Sequence, residues 1–290
     1  MDRYYILTRF NLKLWGKDKH NQPTNTEKWL KRRFELFEAY CLPSVKMQKH
    51  DEFKWFVLFD ETTPQEYIQR FPDYKKLCPQ FVPIRVRGEY GTYFSNIFQH
   101  LIIKDIQKIK ENKETVDNII TIYLDNDDAI SEDFLSVISA KLRQISTTTF
   151  ITFCHGLQYN EELQLCVKVK YSSNHFITLV EKYTGDDHIK TVFGFGSHTH
   201  VFKHDIPVLR IDDKKSIGWL EIVHEANIFN NIIVRRIPHL YQHKDCILEK
   251  FHVNLKLTDK PYRVFYGIFL LNYISETWKY YKNRIVKDMV

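Results

Sequence analysis

Apolar residues fall in two alternating rhythms along the first half of the chain. Arg3 to Phe10 (RYYILTRF), Phe53 to Asp60 (FKWFVLFD), Phe81 to Val86 (FVPIRV) and Asn118 to Leu124 (NIITIYL) are short runs rich in β-branched and aromatic residues. Such runs predict strands, and their near-continuous hydrophobicity predicts strands buried on both faces. Pro83 removes one ladder donor and weakens the third. Between the strands the spacing changes to a helical one. Thr26 to Tyr40 places Trp29, Phe34, Phe37 and Tyr40 near one face, with Thr26 as the N-cap and Pro43 as the stop. Thr63–Pro64 opens a short helix to Phe71, Tyr93 to Asn112 carries a longer one, and Ser131 caps a helix from Glu132 to Gln144. Strands alternating with helices over short connections predict a parallel sheet covered by helices.

The second half reads differently. Thr149 to Tyr159, Leu165 to Tyr171 and Phe176 to Tyr183 predict consecutive strands. Gly185 to Lys215 reads as loop, and Ser216 to Asn231 as partly helical. From Pro261 onward the chain is aromatic and basic, as in an amphipathic helix that lies against a membrane surface or packs on its own domain. No internal repeat or low-complexity segment interrupts the chain.

With 290 residues, 43% hydrophobic and 27% charged, the chain can bury a sizeable core, which excludes disordered, collagenous and disulfide-scaffold classes. The net charge of +6 is diffuse; it accommodates an anionic ligand or membrane and does not call for nucleic acid. Cys41, Cys78, Cys154, Cys166 and Cys246 form no CxxC pair, so neither a zinc knuckle nor a redox motif is expected. The odd count and a start without an apolar leader predict a cytoplasmic protein, and no apolar run reaches the roughly 18 residues of a membrane span.

The most informative residues are Asp125–Asn126–Asp127–Asp128, directly after the fourth strand. Ligands of open α/β sheets bind beyond the carboxyl ends of the strands. Three carboxylates in four positions repel one another unless a cation or basic group neutralises them. Hard divalent cations such as Mn²⁺ or Mg²⁺ take oxygen ligands and leave positions for phosphate. A metal–diphosphate site is the chemical reading; a solvated acidic turn that caps the next helix is the bland one. An EF-hand is excluded, because its sixth position requires glycine and Ile130 stands there. A haloacid dehalogenase phosphatase also ends a strand in DxD, with Asp125 as its nucleophile, but places the motif on the first strand.

Asp-x-Asp after a buried strand resembles the DxD motif of glycosyltransferases with the GT-A fold. A wider set of residues is similar to the signature of the "putative rhamnosyltransferase" family: Thr8–Arg9–Phe10–Asn11; Trp29, Arg33 and Leu36–Phe37–Glu38; Tyr40–Cys41–Leu42–Pro43–Ser44–Val45; Phe53–Lys54–Trp55; Asp60–Glu61 with Thr63–Pro64; Leu124 to Ala129; and Trp219–Leu220, Val223–His224 and Asn227. It covers roughly residues 3 to 240. It departs from the family at Tyr123, where arginine is expected, and at Glu225, where glycine is. The resemblance implies a GT-A-like Rossmann-type mixed sheet flanked by helices, as a single domain over residues 1–250 with a C-terminal helical appendage, residues 251–290. Its nucleotide-binding half would run to about 130 and its acceptor half from about 131.

The resemblance also implies roles. The chain would move a sugar from a nucleoside-diphosphate sugar to a hydroxyl of a glycan or glycolipid, in bacterial surface polysaccharide synthesis. Mn²⁺ or Mg²⁺ would be held by Asp127 and His224. Arg9, Arg33, Asp60, Arg85 and Asp125 would bind the nucleotide sugar, Asp60 reading the base. Asp128, Glu221 and Glu225 are the candidate bases for the acceptor hydroxyl. Arg33, on a helix among apolar neighbours, reads almost equally as a structural ion pair with a glutamate. Arg85 and Arg87 read as a diphosphate site or an exposed edge. His198–Thr199–His200 lacks the further ligands of a zinc site, and fits an acceptor loop better. A phosphatase and a non-catalytic carbohydrate-binding protein are the other readings.

Overall fold

We describe residues 1–17, 21–24, 26–185, 188–196, 203–224, 240–241 and 246–267 from a computed structural model of the chain. Strand β1 (Asp2–Arg9) leads through helix α1 (Glu27–Leu36), a π-helical turn (Phe37–Cys41) and α2 (Leu42–Lys46) to β2 (Phe53–Asp60). The short helices α3 (Gln65–Ile68) and α4 (Phe71–Leu77) precede β3 (Phe81–Val86). A 3-10 turn (Gly88–Tyr93) opens α5 (Phe94–Glu111), followed by β4 (Asn118–Tyr123), β5 (Ala129–Ile130) and α6 (Phe134–Lys141). Then come β6 (Thr149–Phe153), β7 (His155–Asn160), β8 (Leu165–Lys170), β9 (Ile177–Lys182), β10 (Val208–Ile211), β11 (Ile217–Val223) and β12 (Leu240–Tyr241).

Among the described residues these strands form two sheets. The larger runs β10-β6-β9-β4-β1-β2-β3, with β3, β2, β1 and β4 parallel and β9 antiparallel to both β4 and β6. The smaller runs β12-β8-β7-β11-β5. The mixed α/β class is therefore as expected, with helices on the faces of a mixed sheet. Strand β1 shows why its run is apolar throughout. Tyr4 and Ile6 enter the core beneath α1, while Tyr5 and Leu7, on the other side of the pleat, enter the core beneath α5. Pro83 is tolerated because β3 is the edge strand of its sheet.

Four segments depart from expectation, one of them Val208–Ile211, which is strand β10 inside the stretch read as loop. Pro43 does not end the helix. The backbone widens into a π turn over Phe37–Cys41, and Pro43 then sits in the first turn of α2, where an amide donor is not needed. Thr149 to Tyr159 is not one strand, because the chain leaves the large sheet at Phe153 and joins the small one at His155. Ser216 onward is not helical: Ile217–Val223 is a wholly buried strand, β11.

Two glycines make the join between the sheets. Trp219 on β11 pairs with Gly156 on β7, and a Cβ on Gly156 would lie 2.0 Å from the indole. A Cβ on Gly218 would lie 2.4 Å from the Phe153 ring. Trp219 also donates from Nε1 to the Phe153 carbonyl at 3.0 Å. Among the described residues no helix is long and apolar enough to cross a membrane. The aromatic tail beyond residue 267 lies outside the described residues.

Candidate active site

The acidic segment turns sharply after β4 and is held from three sides. Asn126 donates from Nδ2 to the Phe10 carbonyl at the end of β1, 3.0 Å away. The Cys41 thiol, in the π turn, lies 3.5 Å from the Asp125 carbonyl. Beyond the turn, β5 pairs with Trp219 and Leu220 of β11. A DxDD run that sequence composition would place in water is thus folded inward: Asp127 is 4% exposed and Asp128 1%. The solvated-turn reading does not describe it.

Each acid has its own partner. Asp127 Oδ2 accepts from Arg33 Nη1 at 2.6 Å and from His224 Nε2 at 2.8 Å. Burial opposes its charge, but the Arg33 guanidinium and the His224 hydrogen bond overcome that and hold the carboxyl well below the usual carboxylate range. Burial also pulls His224 down, against Asp127, so its imidazole is neutral at pH 7. Asp128 Oδ1 accepts from the Ile222 amide of β11 at 2.8 Å, and Oδ2 meets His175 Nε2 at 2.7 Å. Burial pushes the Asp128 carboxyl up. Burial also works against the charged form of His175, yet the hydrogen bond and charge of Asp128 outweigh it and push His175 up to about 9. The pair therefore keeps a proton between its two members.

Asp125 is more open and belongs to a third arrangement. Tyr123 donates to Asp125 Oδ2 at 3.0 Å and accepts from Arg9 Nη2, while Arg9 lies 3.6 Å from Asp125 Oδ1. The Arg9 guanidinium sits among the rings of Trp15, Phe94, Tyr123 and Phe193, at 4.9–5.4 Å from their centroids. Tyr123, the residue that departs from the family pattern, thus links Arg9 to the first acid. Arg9, Arg33, Trp15, Trp29 and Asp125 line one small cavity. Beside it lies a larger cavity of about 380 Å³, lined by Asn11, Lys13, Asp60 and Thr62 among others. Asp60 ends β2; its Oδ1 accepts from the Thr62 amide at 2.9 Å and lies 3.5 Å from Lys13 Nζ.

The fold therefore brings Arg9, Arg33, Asp125, Asp127, Asp128 and His224 together, from positions up to 215 residues apart, and sets Asp60 in the adjoining cavity. Glu221 is buried on β11, where its Oε2 accepts from Gln158 Nε2 at 2.6 Å. Arg85 is exposed on the edge strand, donates to the Glu61 carbonyl at 2.6 Å, and lines neither cavity. Glu225, His198 and His200 lie outside the described residues. His175 is the residue that sequence reasoning missed: it sits between β8 and β9, 47 positions from Asp128, and no local motif marks it.

The donor set suits a hard divalent cation. Asp127 Oδ2 and His224 Nε2 stand 2.8 Å apart, a separation that two ligands of one small ion adopt; the neutral imidazole would ligate through Nε2 in the tautomer that carries its proton on Nδ1. A second group, Asp125, Asp128 and His175, offers ligand atoms that all lie within 4.8 Å of one another.

A sequence profile of the family described as "putative rhamnosyl transferase" matches residues 6–236. The chain belongs to this family. That membership supports glycosyl transfer and gives no support to the phosphatase reading. No curated protein matches the chain. Among solved structures it is similar to a fragment of TarS from S. aureus, at 9% identity and a TM-score of 0.41, covering 76% of this chain and 60% of that one. It is also similar to a "putative nucleotide-diphospho-sugar transferase" from Desulfovibrio desulfuricans G20, at 9% identity and a TM-score of 0.37, covering 78% of this chain and 84% of that one. The chain thus spans less than two thirds of the TarS fragment.

Proposed function

We propose that this family member is a GT-A-type transferase that moves a sugar from a nucleoside diphosphate to a hydroxyl of a glycan or glycolipid, on the cytoplasmic side of surface polysaccharide assembly. One observation carries the reading: two guanidiniums, three acids and an imidazole from both halves of the chain converge beyond the carboxyl ends of β1 and β4. Residues 1–130 would bind the donor and 131–250 the acceptor. Asp60, with Asn11 and Lys13, would read the base. Asp125 would meet the ribose, and Arg9 and Arg33 would face the diphosphate, since a guanidinium fork matches phosphate oxygens.

Asp127 and His224 would hold Mn²⁺ or Mg²⁺. When bound, such an ion supplies positive charge against the negative charge that develops on the leaving nucleotide. Asp128 has both oxygens engaged within the fold, so we assign it to positioning: it ties the acidic turn to β11 and to His175. Glu221, on the same strand as the His224 approach, is the better-placed described acid to take the acceptor proton.

The test is a melting panel of the full chain with UDP, dTDP, GDP and CMP, each with and without Mn²⁺. A ligand that binds only the native state at about a hundred times its Kd adds about 2.7 kcal/mol, a rise of several degrees for a domain of this size. One nucleotide should raise the melting temperature only with Mn²⁺, and Asp127→Asn should remove the rise. No rise with any nucleotide would overturn the transferase reading. A rise indifferent to Mn²⁺ and to Asp127→Asn would overturn its metal.

A further inference from the structure

The oxygen assigned to the cation is already held by a cation. Arg33 Nη1 lies 2.6 Å from Asp127 Oδ2, the same atom that meets His224. The arginine side chain is 11% exposed and its guanidinium lies 5.3 Å over the Trp29 ring, so both stem and charge are packed in place. Asp127 is buried beside it. A divalent ion at ligand distance from Oδ2 would be placed against a full positive charge in a site poor in water, where like charges repel most strongly. The same guanidinium lines the cavity that it shares with Arg9 and Asp125. A diphosphate entering there would bring more negative charge than the single Asp127 carboxylate, in a shape that an arginine fork matches bidentately.

We infer that Arg33 is a resident counter-ion that holds Asp127 in place while closing it to a divalent cation, so that the cation enters together with the donor diphosphate. This rests on the metal assignment made under the proposed function. It deepens that assignment by giving an order: ion and donor are not independent ligands, and each favours the other. It also gives a reason for an arginine on α1, 94 positions from the acid that it contacts. A salt bridge that only stabilised the fold would not be expected to share its carboxylate oxygen with the imidazole that completes a ligand pair.

The experiment is a titration of the full chain with Mn²⁺ alone, reading the free ion by electron paramagnetic resonance, so that no turnover is involved. Arg33→Gln should bind Mn²⁺ at least tenfold more tightly than the wild type. The double variant Arg33→Gln/Asp127→Asn should lose that gain. Arg33→Lys keeps the charge and should stay at the wild-type affinity, a result that a purely structural role would not produce. If Arg33→Gln melts far below the wild type, Arg33→Met, which retains the stem against Trp29, takes its place. Equal Mn²⁺ affinity in wild type and Arg33→Gln, both weakened by Asp127→Asn, would overturn the counter-ion role and leave the metal site standing. No Mn²⁺ binding in any variant, or binding indifferent to Asp127→Asn, would overturn the role and the metal assignment together.

Discussion

From Asp2 to Tyr123, four strands lie parallel and side by side, each separated from the next by helix. From Ala129 to Val223 the chain instead shuttles between sheets: β5 to the small one, β6 to the large, β7 and β8 to the small, β9 and β10 to the large, β11 back to the small. The first region supplies Arg9, Arg33 and Asp60 and, in the turn that leaves β4, Asp125, Asp127 and Asp128; the second supplies His175, Glu221 and, directly after β11, His224. The difference teaches where the site gets its rigidity. Side chains on the parallel strands are fixed by local crossover units, whereas His175 and His224 are fixed only if two sheets meet in register. Asp128 is the clip between the regions, bonded to His175 on one side and to the Ile222 amide on the other.

The comparison can be broken most severely at the sheet junction. Gly156→Ala would put a methyl group within the Trp219 ring, 2.0 Å from its nearest atom. Both residues are buried and paired across β7 and β11, so neither can give without moving the sheet. The cost should be about 3 kcal/mol, at the upper end for overpacking, read by denaturant unfolding. Nucleotide binding should weaken as His224 shifts, although the change touches no proposed ligand. A stable, fully binding Gly156→Ala protein would show that the second region does not position the site.

A milder break removes the clip. His175→Gln leaves Asp128 Oδ2 without its imidazole in a buried setting and should cost about 2 kcal/mol near neutrality, in the range for stranding a buried polar group. The pH dependence has a definite sign. His175 is held above its ordinary value, so its contribution is complete below about 6.5 and fades as pH rises through about 9. The stability gap between wild type and variant should narrow from pH 6 to pH 9.5. A gap that widened over that range would reverse the protonation assigned to the pair.

The sequence is legible where burial is two-sided and contacts are local. FKWFVLFD and FVPIRV read as strands with their observed limits, because an apolar run flanked by polar turns has few other ways to be buried. The acids after β4, Arg9, Arg33 and His224 were visible as residue types at motif spacing. What was not legible depends on partners distant in sequence. Thr149 to Tyr159 shows no break at Cys154, because the change of sheet is set by Trp219 and Phe153 meeting Gly156 and Gly218. Ile217–Val223 carries Glu221 amid apolar residues and mimics a helix; the side chain bonded to that acid among the described residues, Gln158, lies 63 positions away. His175 had no signal at all, since its meaning lies in Asp128.

The finest test stays within the first region. Tyr123 replaces the arginine expected before the acidic run, and its hydroxyl stands between Arg9 and Asp125, accepting from one and donating to the other. Tyr123→Phe keeps the ring that Phe193 and Arg9 pack against, at 4.7 and 5.2 Å. It deletes the hydroxyl alone. Arg9 would still face Asp125 at 3.6 Å, so the loss should be that of a partly compensated hydrogen bond, about 1 kcal/mol. If Arg9 and Asp125 serve the donor, their loosened geometry should lower nucleotide affinity several-fold with Mn²⁺ present, more than the small stability change alone produces. If affinity is untouched while stability falls, the hydroxyl is an element of packing, and Arg9 is held by its four aromatic rings whatever residue precedes the acids.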